Sequence, residues 1–74
     1  MTPFLKLREK YMLTQREVAQ KLNVNRATIS KWETGKFLPD TKNLINIAKL
    51  YNCTIDDLIL PNNYNTTQNT LLPQ

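Results

Sequence analysis

The segment from Arg26 to Lys31 reads Arg-Ala-Thr-Ile-Ser-Lys. Arg26 offers a guanidinium fork, Lys31 an ammonium, Thr28 and Ser30 hydroxyls, and Ala27 a methyl. On a helix, Ile29 and Trp32 turn inward. The opposite side then becomes a short-chained polar face with a cation near each end. Guanidinium and ammonium groups only donate hydrogen bonds, so the complement of this face is a surface of negatively charged acceptors. Other chemistries lack their parts. With no His, there is no Ser–His or Cys–His pair. The single Cys53 supplies neither an internal disulfide nor, without His, a zinc site of ordinary type. Gly35 is the one glycine, which excludes a Gly-rich phosphate loop. The chain is therefore expected to be no enzyme and to carry no metal or cofactor.

Those residues sit in a chain of 74 residues and 8.7 kDa, enough for one domain. A core of that size supplies about 3–5 kcal/mol of net stability. Ten Lys and Arg face six Asp and Glu, for a formal charge of +4 and a pI near 9.5. That balance points to a polyanionic partner. Charge appears by Lys6, so no signal peptide is expected. No stretch approaches the roughly 18 apolar residues of a membrane span. A cytoplasmic protein without a membrane partner is expected.

Helices must position the polar face, and their start and stop signals are explicit. Thr2 as cap and Pro3 at the first helical position open a first helix ending near Tyr11. Thr14 and Glu17 fit a capping box for a second, whose apolar stripe is Val18, Ala19 and Leu22. Asn23 suits a left-handed turn. Asn25 caps a third helix running from Arg26 to about Thr34, which Gly35 ends. Asp40 caps a fourth, with Leu44, Ile47, Ala48 and Tyr51 inward. Thr54 caps a short fifth, with Ile55, Leu58 and Ile59 inward, and Pro61 ends it. No strand-like alternation occurs. Residues 1–60 are expected to form the domain. Residues 61–74 carry no charge and little apolar content, and are expected to be a disordered tail.

Residues 14–34 form the informative unit. Two helices of roughly eight residues joined by a short turn have helix-turn-helix spacing. Ala19 is small where the helices cross, Val24 covers the inside of the turn, and Ile29 and Trp32 anchor the second helix from below. Its outer face is suited to a major groove. Leu13-Thr14-Gln15-Arg16-Glu17-Val18-Ala19-Gln20-Lys21-Leu22, followed by Ile29-Ser30-Lys31-Trp32-Glu33-Thr34-Gly35-Lys36, resembles the Cro/repressor-type helix-turn-helix family. Leu7-Arg8 upstream fits, as do Pro39, Leu44, Ile47-Ala48 and Thr54-Ile55-Asp56-Asp57-Leu58 downstream. The resemblance covers about residues 4–60. It implies an all-α, compact five-helix domain of lambda-repressor type that binds DNA, usually as a dimer on a two-fold-related operator. Two positions depart from the family pattern, which often has Gly where Met12 and Asn23 stand. Asn23 is a mild change. Met12 leaves two readings: a first turn that is not left-handed, or a strained one.

The resemblance places Gln15 on the DNA backbone, and the positive end of a helix agrees with that role. Arg16, Asn25, Ser30 and Lys36 are further candidates for phosphate. Base reading is expected from Arg26, Ala27, Thr28 and Lys31. Arg26 can pair bidentately with guanine, Ala27 can meet a thymine methyl, Thr28 a base edge or phosphate, and Lys31 a neighbouring base or phosphate. The resemblance also pairs Arg8 with Glu33 as a structural tie between the first and third helices. Trp32 is expected in the core. Cys53 is expected as a small buried apolar residue, and Asp56 and Asp57 as first-turn acids favoured by the helix dipole.

The function expected is a sequence-specific transcription regulator, a repressor, acting as a homodimer on double-stranded DNA. The competing reading is a protein-interaction module such as an antitoxin that neutralises a toxin, with DNA binding secondary. Leu58, Ile59 and Leu60 exceed what one face of a short helix can bury, so they are expected to include the dimer surface.

Overall fold

The structure, a computed structural model, describes residues 2–59. Five helices follow one another: α1 (Pro3–Lys10), α2 (Gln15–Leu22), α3 (Arg26–Glu33), α4 (Thr41–Tyr51) and α5 (Ile55–Ile59). No strand occurs among the described residues. The expected Leu60 and residues 61–74 lie outside them.

Four of the five starts are built as the residue types dictate. The Thr2 hydroxyl accepts from the Leu5 N–H and, with Pro3 behind it, opens α1. Thr14 and Glu17 close a reciprocal capping box, with bonds of 3.0 and 2.8 Å. Asp40 accepts from the Asn43 N–H to start α4. Thr54 and Asp57 make a second reciprocal box at α5, at 3.1 and 3.0 Å. Asp57 thus does more than sit in a favourable dipole. These bonds hold the Glu17 and Asp57 carboxyls below the usual carboxylate range. Asn25 occupies the cap position of α3, yet its side chain makes no capping bond.

The first four helices also stop in one way. Met12, Asn23, Gly35 and Asn52 all have positive φ, of 58°, 59°, 81° and 54°. Each donates its N–H to a carbonyl three residues back, and the next residue donates to the carbonyl five back. This is the Schellman arrangement, which satisfies helix-end carbonyls while turning the chain sharply. Met12 is therefore left-handed, which decides between its two readings. A side chain there costs about 1–2 kcal/mol over glycine. It is 87% exposed, so no packing offsets that cost.

Sharp turns let short helices share one core. Phe4, Val18, Ala19, Leu22, Ile29, Trp32, Ile47, Ala48, Tyr51 and Leu58 are buried together. α2 packs on α3 and α4, α4 on α5, and α1 on α3 and α5. Fully burying one large aliphatic such as Ile47 or Leu58 contributes about 1.5–3 kcal/mol. Trp32 is 5% exposed and belongs to this core, not to a surface.

Three expectations change here. Leu58 is 1% exposed, locked in the protomer's own core, and so is removed from any dimer surface. Ile59, expected inward, is 43% exposed because a five-residue helix has room to bury only one stripe. Cys53 is half-buried, not buried: it lines a groove of about 450 Å³ with Lys6, Lys10, Tyr11, Asp56 and Asp57. Desolvation, with a smaller contribution from Asp57, pushes its thiol up, which disfavours the reactive thiolate.

Replacing Met12 by glycine should raise stability by about 1 kcal/mol, or about 4–8 °C in Tm. Thermal unfolding followed by circular dichroism checks this. An unchanged or lower Tm would show that the left-handed turn carries no strain.

Candidate nucleic-acid interface

The site is assembled around the last residue of α3. Glu33 is 7% exposed, a carboxylate inside the fold. A buried charge requires a partner, and Arg8 of α1 supplies a two-pronged one. Arg8 Nε donates to Glu33 Oε2 at 2.5 Å, and Arg8 Nη2 to Glu33 Oε1 at 3.0 Å. The third arm, Nη1, donates to the Leu13 carbonyl at 2.9 Å, bracing the α1–α2 turn. Bidentate geometry of this kind is specific to guanidinium. The hydrogen bond that Arg8 donates to Glu33 raises the guanidinium pKa above its ordinary value, so Arg8 stays charged. The expected structural tie between Arg8 and Glu33 is therefore present.

The carboxylate has a second client. Gln15, the first residue of α2, donates from Nε2 to Glu33 Oε1 at 3.0 Å. That bond fixes which end of the amide is which, since only the nitrogen can face a carboxylate. The oxygen is left pointing outward, where it accepts from Arg26 Nη1 at 3.2 Å. Arg26 is the first residue of α3. A continuous chain Arg8–Glu33–Gln15–Arg26 thus runs from the interior to the surface and links three helices. The Glu33 backbone carbonyl also accepts from the Thr2 hydroxyl at 2.8 Å, fastening the start of α1 to the end of α3.

Around this chain lie the residues singled out from the sequence. Arg26, Ala27 and Lys31 are exposed, and Thr28 and Ser30 half-buried. They share one side of α3 because residues three and four apart are neighbours on a helix. Arg16, Asn25 and Lys36 are exposed too, and Gln15 is half-buried. Asn25, with no capping bond to make, keeps its amide available. Gln15 has less freedom than a phosphate contact alone requires, because both ends of its amide already bond to protein. One amide hydrogen remains for an outside acceptor.

The electrostatics follow from the internal pairing. In residues 14–36 five cations (Arg16, Lys21, Arg26, Lys31, Lys36) stand against Glu17 and Glu33. Glu33 is neutralised from inside by Arg8, leaving Glu17, capped by Thr14, as the exposed acid of the unit. The surface is thus more basic than the residue count suggests.

The sequence reading missed three contacts. Gln15 serves as a bridge, where an outward contact was expected. The Lys31 ammonium stands over the Phe37 ring, 5.5 Å from its centroid. Tyr11 donates its hydroxyl to the Tyr51 carbonyl at 2.8 Å, its ring 5.4 Å from that of Tyr51. Burial beside this stack pushes the Tyr51 phenol up to about 12. The polarity of Gln15 at a helix start was visible, but its partners lie 18 and 11 residues away.

Comparisons with known proteins agree with this geometry. The model of a family described as helix-turn-helix matches residues 5–58. The chain is similar to the HTH-type transcriptional activator BcrR of Enterococcus faecalis, 47% identical over 47 residues. That match covers 64% of this chain and 23% of the relative. An uncharacterized HTH-type transcriptional regulator of Archaeoglobus fulgidus is 39% identical over 59 residues, covering 80% of this chain and 84% of the relative. The HTH-type transcriptional regulator ImmR of Bacillus subtilis is 38% identical over 52 residues, covering 70% and 41%. The chain thus spans under a quarter of the enterococcal relative and most of the archaeal one.

Removing either partner of the Arg8–Glu33 pair leaves a buried charge alone and should cost about 3–5 kcal/mol. Arg8→Met and Glu33→Leu should each be strongly destabilised, and the double variant more stable than either. Urea unfolding of the three variants measures this. Strictly additive losses would contradict the pairing.

Proposed function

The chain belongs to the helix-turn-helix family whose model spans residues 5–58, and on that premise we propose a sequence-specific repressor that binds an operator as a homodimer. DNA-binding regulation of transcription is the common ground of the relatives. The finer reading rests on one observation: the exposed side of α3 combines Arg26, Ala27, Thr28 and Lys31 with no outward acid, because Glu33 is turned in and paired.

In this reading α3 lies in the major groove. Arg26 donates to the acceptors of guanine, its fork steadied by Gln15 through one nitrogen. Ala27 meets a thymine methyl, and Thr28 and Lys31 take neighbouring base edges or phosphates. Gln15, Arg16, Asn25, Ser30 and Lys36 hold the phosphate backbone, which fixes register without reading sequence. One such domain covers one half-site. A second copy, contacting through a surface that includes Ile59, supplies the other half-site about 34 Å away. Repression is the simplest consequence, since occupying the operator suffices.

The test is a binding selection from random duplex DNA with the full chain. A two-fold symmetric consensus is expected. Arg26→Ala should relax one position of each half-site, by about 1–3 kcal/mol of discrimination. Log affinity should fall with log salt by about 0.9 for each phosphate neutralised. Failure to enrich any sequence, or binding indifferent to salt, would reject the proposal.

A further inference from the structure

After α3 the chain doubles back on itself. Gly35, at φ 81°, makes the turn. Lys36 and Phe37 then both donate their N–H groups to the Lys31 carbonyl, at 2.9 and 3.4 Å. Phe37 is thereby anchored to the residue whose side chain it meets: the Lys31 ammonium sits 5.5 Å from the centre of its ring. The ring is 55% exposed, and neither the core nor the caps use it. A large apolar side chain left at the surface beside a cation has a specific use, because an aromatic face attracts an ammonium.

We infer that Phe37 is a positioning residue for DNA readout, a shelf that holds Lys31 extended along the end of the α3 face. This rests on the reading of α3 as the groove-facing helix. A lysine loses much rotamer freedom when fixed against an acceptor. Ordering it in the free protein removes part of that cost from the binding step. The ring covers one side of the ammonium and leaves its other hydrogens free to donate to a base or phosphate acceptor. Phe37 therefore tightens the contact that Lys31 makes, and sharpens the base preference at that position, through Lys31 alone.

The free protein gives the first test. The Lys31 ε-methylene protons should be shifted upfield in the proton NMR spectrum by the Phe37 ring current, and Phe37→Leu should abolish the shift. The second test uses the duplex that the wild-type chain selects from a random pool. Phe37→Leu and Phe37→Ala should weaken binding roughly two- to five-fold, and Phe37→Trp should bind at least as tightly as wild type. In a Lys31→Met background Phe37→Leu should change nothing. Circular dichroism confirms that each variant is folded. An absent ring-current shift, tighter binding by Phe37→Leu, or an equal loss in the Lys31→Met background would overturn the inference. The last result would mean that the ring touches DNA or a second copy directly. If the wild-type chain enriches no duplex, the DNA reading fails and the inference falls with it, whereas enrichment with an indifferent Phe37 defeats the inference alone.

Discussion

A carboxylate removed from water needs compensation on every side, and at Glu33 nearly every neighbouring element contributes to it. Arg8 brings a guanidinium fork from α1, Gln15 an amide from α2, and Thr2 a hydroxyl to the same residue's carbonyl. An isolated charge at this depth would not be tolerated, so these elements are obliged to meet. The pair earns little net stability in itself, since apolar replacements of equal volume often serve as well. What it adds is geometric. The amide of Gln15 has one permitted orientation, its oxygen faces outward, and Arg26 is held against it. The arrangement of a surface group is set by the solvation demand of an interior one.

Helices of eight residues are too short to be stable alone, and the repeated helix stop makes them cooperative. Left-handed residues at Met12, Asn23, Gly35 and Asn52 end each of the first four helices abruptly and send the next one back across the core. Two consequences for the exposed side of α3 follow. The α1–α2 turn, braced by Arg8 on the Leu13 carbonyl, brings Gln15 to Glu33. The turn after α3 brings Phe37 to Lys31. Turn chemistry therefore builds both ends of the α3 face.

Much of this was legible in the chain. Caps at Thr2, Thr14, Asp40 and Thr54 and the stops at Asn23 and Gly35 are local signals, and local signals survive folding. The inward stripe Ile29–Trp32 fixes the outward one by helical geometry, so the exposure of Arg26, Ala27 and Lys31 followed from residue types alone. The pairing of Arg8 with Glu33 was available only through family resemblance, because nothing in the sequence joins residues 25 apart. Gln15 was placed at the right helix start, but its bonds to Glu33 and Arg26 were not foreseen: periodicity states which side a residue occupies, not which atom across the fold satisfies it. Leu58 and Ile59 show the same limit. A run of apolar residues on a five-residue helix declares that one must emerge, without declaring which. Phe37 carried no local signal, since its contact with Lys31 depends on the chain reversal after α3.

The central claim is that Glu33 holds the fold and also arranges the exposed side of α3 through Gln15. The most direct measurement is the base preference of the Arg8→Met/Glu33→Leu double variant, on the duplex that the wild-type chain selects. This variant removes the carboxylate without leaving a buried charge. The account predicts a folded protein that binds more weakly and discriminates less at the position Arg26 reads. A folded double variant with wild-type affinity and unchanged preference at that position would contradict it.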